Sequence, residues 1–99
     1  KLSFVTADTG LPVTEPWPCT QMLRVKVENI SGEAQAVTIG KLGPDPRSQE
    51  LMLEKVRDGV FLSRPIRPSD LGACSGDVLW AQYRDPRGCY TVYVTLALR

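Results

Sequence analysis

Two segments of the chain alternate between apolar and polar positions, as strands with one buried face do. In "MLRVKVE", Leu23, Val25 and Val27 share one side, and the charged residues between them share the other. In "YTVYVTLAL", the aliphatic side chains at alternate positions from 92 to 98 again fall on one side. A period of two residues predicts half-buried β-strands, and the β-branched and aromatic residues of the second segment favour the same structure.

Turn signals recur at short intervals and divide the rest of the chain into pieces of strand length. Gly, Pro, Asp, Asn and Ser form most of them, in "TG" at 9–10, "PWP" at 16–18, "NISGE" at 29–33, "GPDP" at 43–46, "RDG" at 57–59, "RPSD" at 67–70, "CSG" at 74–76 and "DPRG" at 85–88. Short strands separated by frequent turns predict an all-β sandwich or barrel.

The segment "DPRSQELMLEKVRDG" supports two interpretations. Asp45 and Pro46 suit the start of a helix and Gly59 suits its end, while Glu, Leu, Met and Lys all have high helix propensity. The alternation of Leu51 with Leu53 instead fits a strand. Local signals slightly favour the helix, so both structures stay open for this segment on residue patterns alone.

A β-hairpin is predicted for "GDVLWAQYRDPRGCYTVYVTLAL". Asp85, Pro86 and Gly88 suit three positions of a type I turn. A four-residue loop, 85–88, would pair Arg84 with Cys89. The register that follows has apolar pairs on one face (Tyr83–Tyr90, Ala81–Val92, Leu79–Val94) and the pairs Gln82–Thr91 and Trp80–Tyr93 on the other.

Composition and charge exclude several classes of function. Twelve basic and eleven acidic residues give a net charge of +1, which provides no electrostatic case for nucleic acid or an anionic membrane. No apolar run approaches the ~20 residues that span a bilayer. The chain has no histidine, so histidine-dependent nucleophiles and histidine metal sites are excluded. The three cysteines lack a CxxC spacing, and we therefore expect no metal, no cofactor and no catalysis.

Residues 59–61, "GVF", and 76–85, "GDVLWAQYRD", resemble a repeat found in bacterial cell-surface and secreted proteins. The matching residues are Gly59, Val60, Phe61, Gly76, Asp77, Leu79, Ala81, Tyr83, Asp85 and Pro86. The resemblance implies an Ig-like β-sandwich of about seven antiparallel strands, and it favours a strand over a helix for 46–58. The strands expected are 2–7, 21–29, 35–40, 50–56, 60–65, 78–84 and 90–98. The 99 residues would form a single domain, 1–99, cut from a longer exported protein.

The function expected is that of a non-catalytic structural, adhesion or assembly module, secreted, periplasmic or at the cell surface. Its partners would be neighbouring domains of the same polypeptide, or a surface protein or glycan. Trp80 and Tyr93 are the candidate contact residues, because exposed aromatics can stack on a ligand. The alternative is a carbohydrate- or peptide-binding accessory domain of a secreted enzyme, and a third class is a small cytoplasmic α+β domain.

The aspartates of the predicted loops are expected to serve turns rather than calcium, because their spacing resembles no calcium loop. They are Asp8, Asp45, Asp58, Asp70, Asp77 and Asp85.

In an Ig-like strand order, Cys19 and Cys74 lie at one end of the molecule and Cys89 at the other. The candidate disulfide is therefore Cys19–Cys74, with Cys89 free, if the protein is exported. Three reduced thiols are the alternative.

Overall fold

The computed structural model describes residues 1–28, 36–43 and 48–99 of the chain. Within them the fold is all-β, as predicted, with seven antiparallel strands and one short 3₁₀ helix, Pro68–Leu71. The strands are β1 (Leu2–Thr6), β2 (Leu23–Glu28), β3 (Ala36–Lys41), β4 (Ser48–Arg57), β5 (Val60–Ser63), β6 (Val78–Arg84) and β7 (Thr91–Ala97). The predicted "NISGE" turn, the first residue of the predicted third strand and Asp45 lie outside the described residues.

The seven strands form one hydrogen-bonded sheet in the order β1-β2-β5-β4-β3-β6-β7. β4 joins its two halves, because residues 48–52 pair with β3 and residues 53–57 pair with β5. The first half of β4 thus pairs on one side of the strand and its second half pairs on the other side. Such a strand forms the corner between two groups of strands. The hydrogen-bonded ladder is therefore continuous through all seven strands.

The sheet curls on itself, so that β1 comes against β6 and β7. The apolar sides of all strands meet in one core, in which Leu23, Val25 and Val27 of β2 are fully buried. Leu79 and Ala81 of β6 are fully buried as well. The alternation in the sequence therefore identified the buried face of these strands correctly.

Residues 48–57 form a strand, and the helix interpretation of this segment is wrong. Leu51 is fully buried and pairs with Val37, while Met52 is two-thirds exposed. A helix would separate Leu51 and Leu53 by about 200° around its axis and could not bury both against one surface. Pairing with β3 and β5 outweighs the helix propensity of the segment, which amounts to tenths of a kcal/mol per residue.

The predicted turn between β6 and β7 is present. Gly88 donates its N–H to the carbonyl of Asp85 at 2.8 Å and has a left-handed φ of 77°, which suits glycine. The Asp85 N–H then donates to the carbonyl of Tyr90 at 3.0 Å. Asp85 and Tyr90 are therefore the pair that closes the hairpin, and Cys89 belongs to the loop.

The predicted register of this hairpin is wrong by two residues for the same reason. Arg84 pairs with Thr91 rather than with Cys89, and Trp80 pairs with Thr95 rather than with Tyr93. A shift of two residues preserves the face of every side chain, because the side-chain period of a strand is two. The prediction thus assigned the side chains of β6 and β7 to the correct face but not to the correct partner, while Tyr90, predicted on the apolar face, is 41% exposed.

Candidate binding surface

The outward side of the half-sheet β4-β3-β6-β7 forms the surface that we call the aromatic face. Its side chains lie in rows across the strands, as the registers of the three ladders dictate. One row runs Glu50, Thr38, Gln82 and Tyr93, and the next runs Ser48, Gly40, Trp80 and Thr95. On the other side of the first row lie the pairs Met52–Ala36 and Arg84–Thr91.

Trp80 and Tyr93, the two candidate contact residues, lie in neighbouring rows and are diagonal neighbours. Their ring centroids are 5.9 Å apart and their planes differ by 15°, so the rings are nearly parallel. Tyr93 is 54% exposed and Trp80 is half-buried. Gly40 pairs with Trp80 in β3 and has no side chain, which leaves the indole room on that side. The structure therefore brings the two aromatics together, although not as the directly opposed pair that was predicted.

A cleft of about 440 Å³ lies beside the aromatic pair on the same face. It is lined by Ala36, Thr38, Glu50, Gln82, Tyr83, Arg84 and Pro86. Its charged groups are the carboxylate of Glu50 and the guanidinium of Arg84, and the amide of Gln82 has both donor and acceptor atoms. The sequence carried no signal for this cleft, because its lining comes from three strands and one turn that only the fold brings together.

Asp85 lies in the turn between β6 and β7 and is only 4% exposed. Burial opposes ionisation of its carboxyl, but the thiol and the backbone N–H of Cys89 donate to the carboxylate, the latter at 3.3 Å. The guanidinium Nε of Arg87 lies 3.6 Å away. The net effect holds the pKa of Asp85 below its ordinary value.

Burial raises the pKa of the Tyr83 phenol, and the neighbouring groups of Tyr90 and Asp85 raise it further. The rings of Tyr83 and Tyr90 are tilted by 51° at a centroid distance of 6.3 Å. Tyr83 therefore stays neutral across physiological pH.

Two of the predicted loop aspartates, Asp77 and Asp85, accept backbone N–H groups in turns. Asp77 accepts the backbone N–H of Cys74 at 2.7 Å and lies 3.7 Å from the ammonium of Lys41. Asp58, which is fully exposed, forms an ion pair with the half-exposed Lys55 at 3.1 Å. Among the residues that the structure describes, no three carboxylates or thiols come together as a set of metal ligands.

The three cysteines are free thiols in the structure. Cys19 lies beside the end of the chain, where its N–H donates to the carbonyl of Arg99 at 3.0 Å and its carbonyl accepts the N–H of Ser69 at 2.9 Å. Cys74 lies in the turn that leads to β6, at the same end of the fold, while Cys89 lies in the β6–β7 loop. The Cys19–Cys74 disulfide stays a prediction about the protein in an oxidising compartment.

In the described ranges there is no helix of the length and apolar character needed to cross a bilayer. In comparisons with protein-family models, with curated proteins and with solved structures, nothing matched this chain.

Proposed function

We propose that this chain is a non-catalytic contact module of an exported bacterial protein, acting in adhesion or assembly through its aromatic face. The observation that carries the proposal is the near-parallel pair of Trp80 and Tyr93, 5.9 Å apart and partly open to solvent. Aromatic rings bury a large area and lose little side-chain entropy on binding, which is why they dominate the energetics of protein contacts.

Two further features support a contact role for this face. It lies on paired strands rather than on loops, so its side chains are held in place before a partner arrives. It also carries both signs of charge, on Glu50 and Arg84, beside the apolar pair. A mixed polar rim around an aromatic centre is the usual composition of a transient protein interface. The exported setting is inferred from the sequence resemblance to surface-protein repeats.

A second candidate function is carbohydrate binding, and the cleft beside the pair is the observation that favours it. A sugar ring can stack on Trp80 or Tyr93 while its hydroxyl groups reach Gln82, Glu50 or Arg84, which line the cleft. The two candidates use the same face but different partners, so one experiment can separate them.

The experiment measures retention of the fluorescently labelled chain on bacterial cell walls. One sample of walls keeps its surface proteins, and a second is stripped of protein by protease. We expect retention on the first sample only, because a protein contact needs the protein partner. Retention on both samples would instead support the carbohydrate function.

The variant Tyr93→Ser removes the exposed ring, and Leu11→Ser is its matched control. Leu11 is 61% exposed, and its carbonyl accepts the N–H of Thr6 in β1, a strand that is not part of the aromatic face. Retention should fall about tenfold or more for Tyr93→Ser, the effect of losing one aromatic anchor of about 1.4 kcal/mol or more, and should stay unchanged for Leu11→Ser. Equal retention of both variants, or no retention on either wall sample, would overturn the proposal.

A further inference from the structure

β7 is the last strand of the sheet and has β6 as its neighbour on one side. At its end, Ala97 bonds on the other side: its N–H donates to the Glu15 carboxylate at 2.6 Å, and its carbonyl accepts the N–H of Trp17 at 3.0 Å. The backbone groups of alternate residues in a strand point to the same side. The odd-numbered residues of β7 therefore point away from β6.

Thr91, Tyr93 and Thr95 share this parity with Ala97, and all three are exposed. In the ladder with β6 they sit opposite Arg84, Gln82 and Trp80. Their three N–H groups and three carbonyls have no hydrogen-bond partner within the described part of the chain. β7 thus presents an open edge of six backbone groups, which ends where Glu15 and Trp17 close it.

This edge lacks the features that normally protect a strand at the border of a sheet. Proteins place lysine, proline or a bulge there, or cover the edge with another segment. Thr91–Ala97 contains no charged residue, no proline and no glycine. The opposite border strand, β1, is covered by the chain that follows it, since Thr6 donates to the Leu11 carbonyl at 2.8 Å and Val13 donates to the Phe4 carbonyl at 3.3 Å.

The exposed part of β7, residues 91–95, reads "TVYVT", the same in both directions. A contact between two identical chains about a two-fold axis requires a self-complementary patch, in which each residue meets its symmetry mate or a matching residue. A palindromic strand centred on Tyr93 meets this requirement in the antiparallel direction. Threonine pairs and aromatic pairs across strands are both favourable, and no like charges meet.

We propose that the open edge of β7 binds a second copy of this chain, by antiparallel pairing of the two β7 strands about a two-fold axis at Tyr93. Tyr93 then faces Tyr93 of the second copy, and Thr91 faces Thr95 of the second copy. Odd residues meet odd residues, so all six outward backbone groups of each copy are bonded.

Other registers of the two β7 strands would form hydrogen bonds to fewer of the outward backbone groups. A slip of two residues in one direction sets Thr91 against Ala97, whose backbone groups are already bound by Glu15 and Trp17. A slip in the other direction sets Thr95 against Cys89, which lies in the hairpin loop. The register centred on Tyr93 is therefore the one that uses the whole open edge. It places the two aromatic faces side by side on one surface, and it does not depend on the partner proposed above.

The first test is sedimentation equilibrium of the 99-residue chain from about 1 μM to 1 mM, the range of weak to moderate affinities. The expected result is a concentration-dependent rise to twice the chain mass. Thr95→Pro removes one outward N–H from each copy without touching the ladder to β6, because proline is tolerated on the open side of an edge strand. It should weaken dimerisation at least tenfold, while the control Thr95→Val should leave it unchanged. A chain that stays monomeric throughout the range would overturn the proposal.

The second test determines the register and does not require the proline variant to fold. The variants Thr91→Cys and Thr95→Cys are made in a background in which the three native cysteines are changed to serine. Each variant alone, and an equal mixture of the two, is then oxidised. Paired residues lie roughly 5.5 Å apart between Cα atoms, within the range of a disulfide. Each variant alone has its cysteines about 13 Å apart, four residues along the strand. Cross-linking should appear in the mixture only, and dimers that fail to cross-link there, or that persist unweakened in Thr95→Pro, would show that another surface forms them.

Discussion

Replacing Ser63 with alanine tests how the ladder between β2 and β5 is completed. Between the pairs Lys26–Leu62 and Leu23–Ile66, β2 has two residues and the facing segment has three. Because of the extra residue, no backbone carbonyl of the facing segment accepts the Val25 N–H. The hydroxyl of Ser63 accepts it instead, at 2.9 Å. The same hydroxyl donates to the Arg64 carbonyl at 3.0 Å.

The magnitude follows from burial. Ser63 is 1% exposed and Val25 is fully buried, so no water can replace the lost hydroxyl. A buried N–H without an acceptor costs roughly 1–3 kcal/mol. In a domain of this size each kcal/mol lowers the melting temperature by about 4–8 °C, so Ser63→Ala should melt roughly 4–24 °C below the parent chain.

Urea unfolding and thermal melting measure the loss of stability, and native-state hydrogen exchange locates it. The Val25 amide should lose protection more than the other buried amides of β2. The matched control is Ser48→Ala, an exposed serine of β4, which should change the free energy of unfolding by less than about 0.5 kcal/mol. If Ser63→Ala were as stable as the control and the Val25 amide kept its protection, the side-chain acceptor at this bulge would be refuted.

Three further predictions concern the core, the hairpin and the thiols. Leu51→Ala should lower the free energy of unfolding by about 2–5 kcal/mol in urea denaturation, because it leaves a cavity at a fully buried site, whereas Met52→Ala, at an exposed site, should have little effect. The pKa of Asp85 is lowered in the folded state, so its carboxylate stabilises the fold above the unfolded pKa. This contribution is lost as the pH falls through the folded pKa. In Asp85→Asn, the free energy of unfolding should therefore fall less steeply as the pH is lowered in this acidic range. In protein secreted into an oxidising compartment, non-reducing peptide mapping should find Cys19 joined to Cys74, and three alkylatable thiols there would contradict the pairing.

The faces of the strands could be read from the sequence because they are a local property. Leu23, Val25 and Val27 alternate with charged residues, and any sheet that accepts this segment must bury the apolar side. The same reasoning assigned Trp80 and Tyr93 correctly to the outward face, even with the wrong register. The segment 48–57 was ambiguous because its residues favour a helix locally, and pairing with β3 and β5 decided its structure.

The all-β class, the approximate bounds of most strands and the buried side of β2, β6 and β7 therefore followed from the order of residues along the chain. Which strands and which residues pair with one another depended on the tertiary structure. The hairpin register depends on whether Cys89 belongs to the loop, a matter of one closing hydrogen bond between Asp85 and Tyr90. The cover of β7 by Glu15 and Trp17 joins segments about 80 residues apart, and the open edge beside it exists because that cover stops at Ala97. Contacts of this kind depend on the path of the whole chain, and no local period or propensity encodes them.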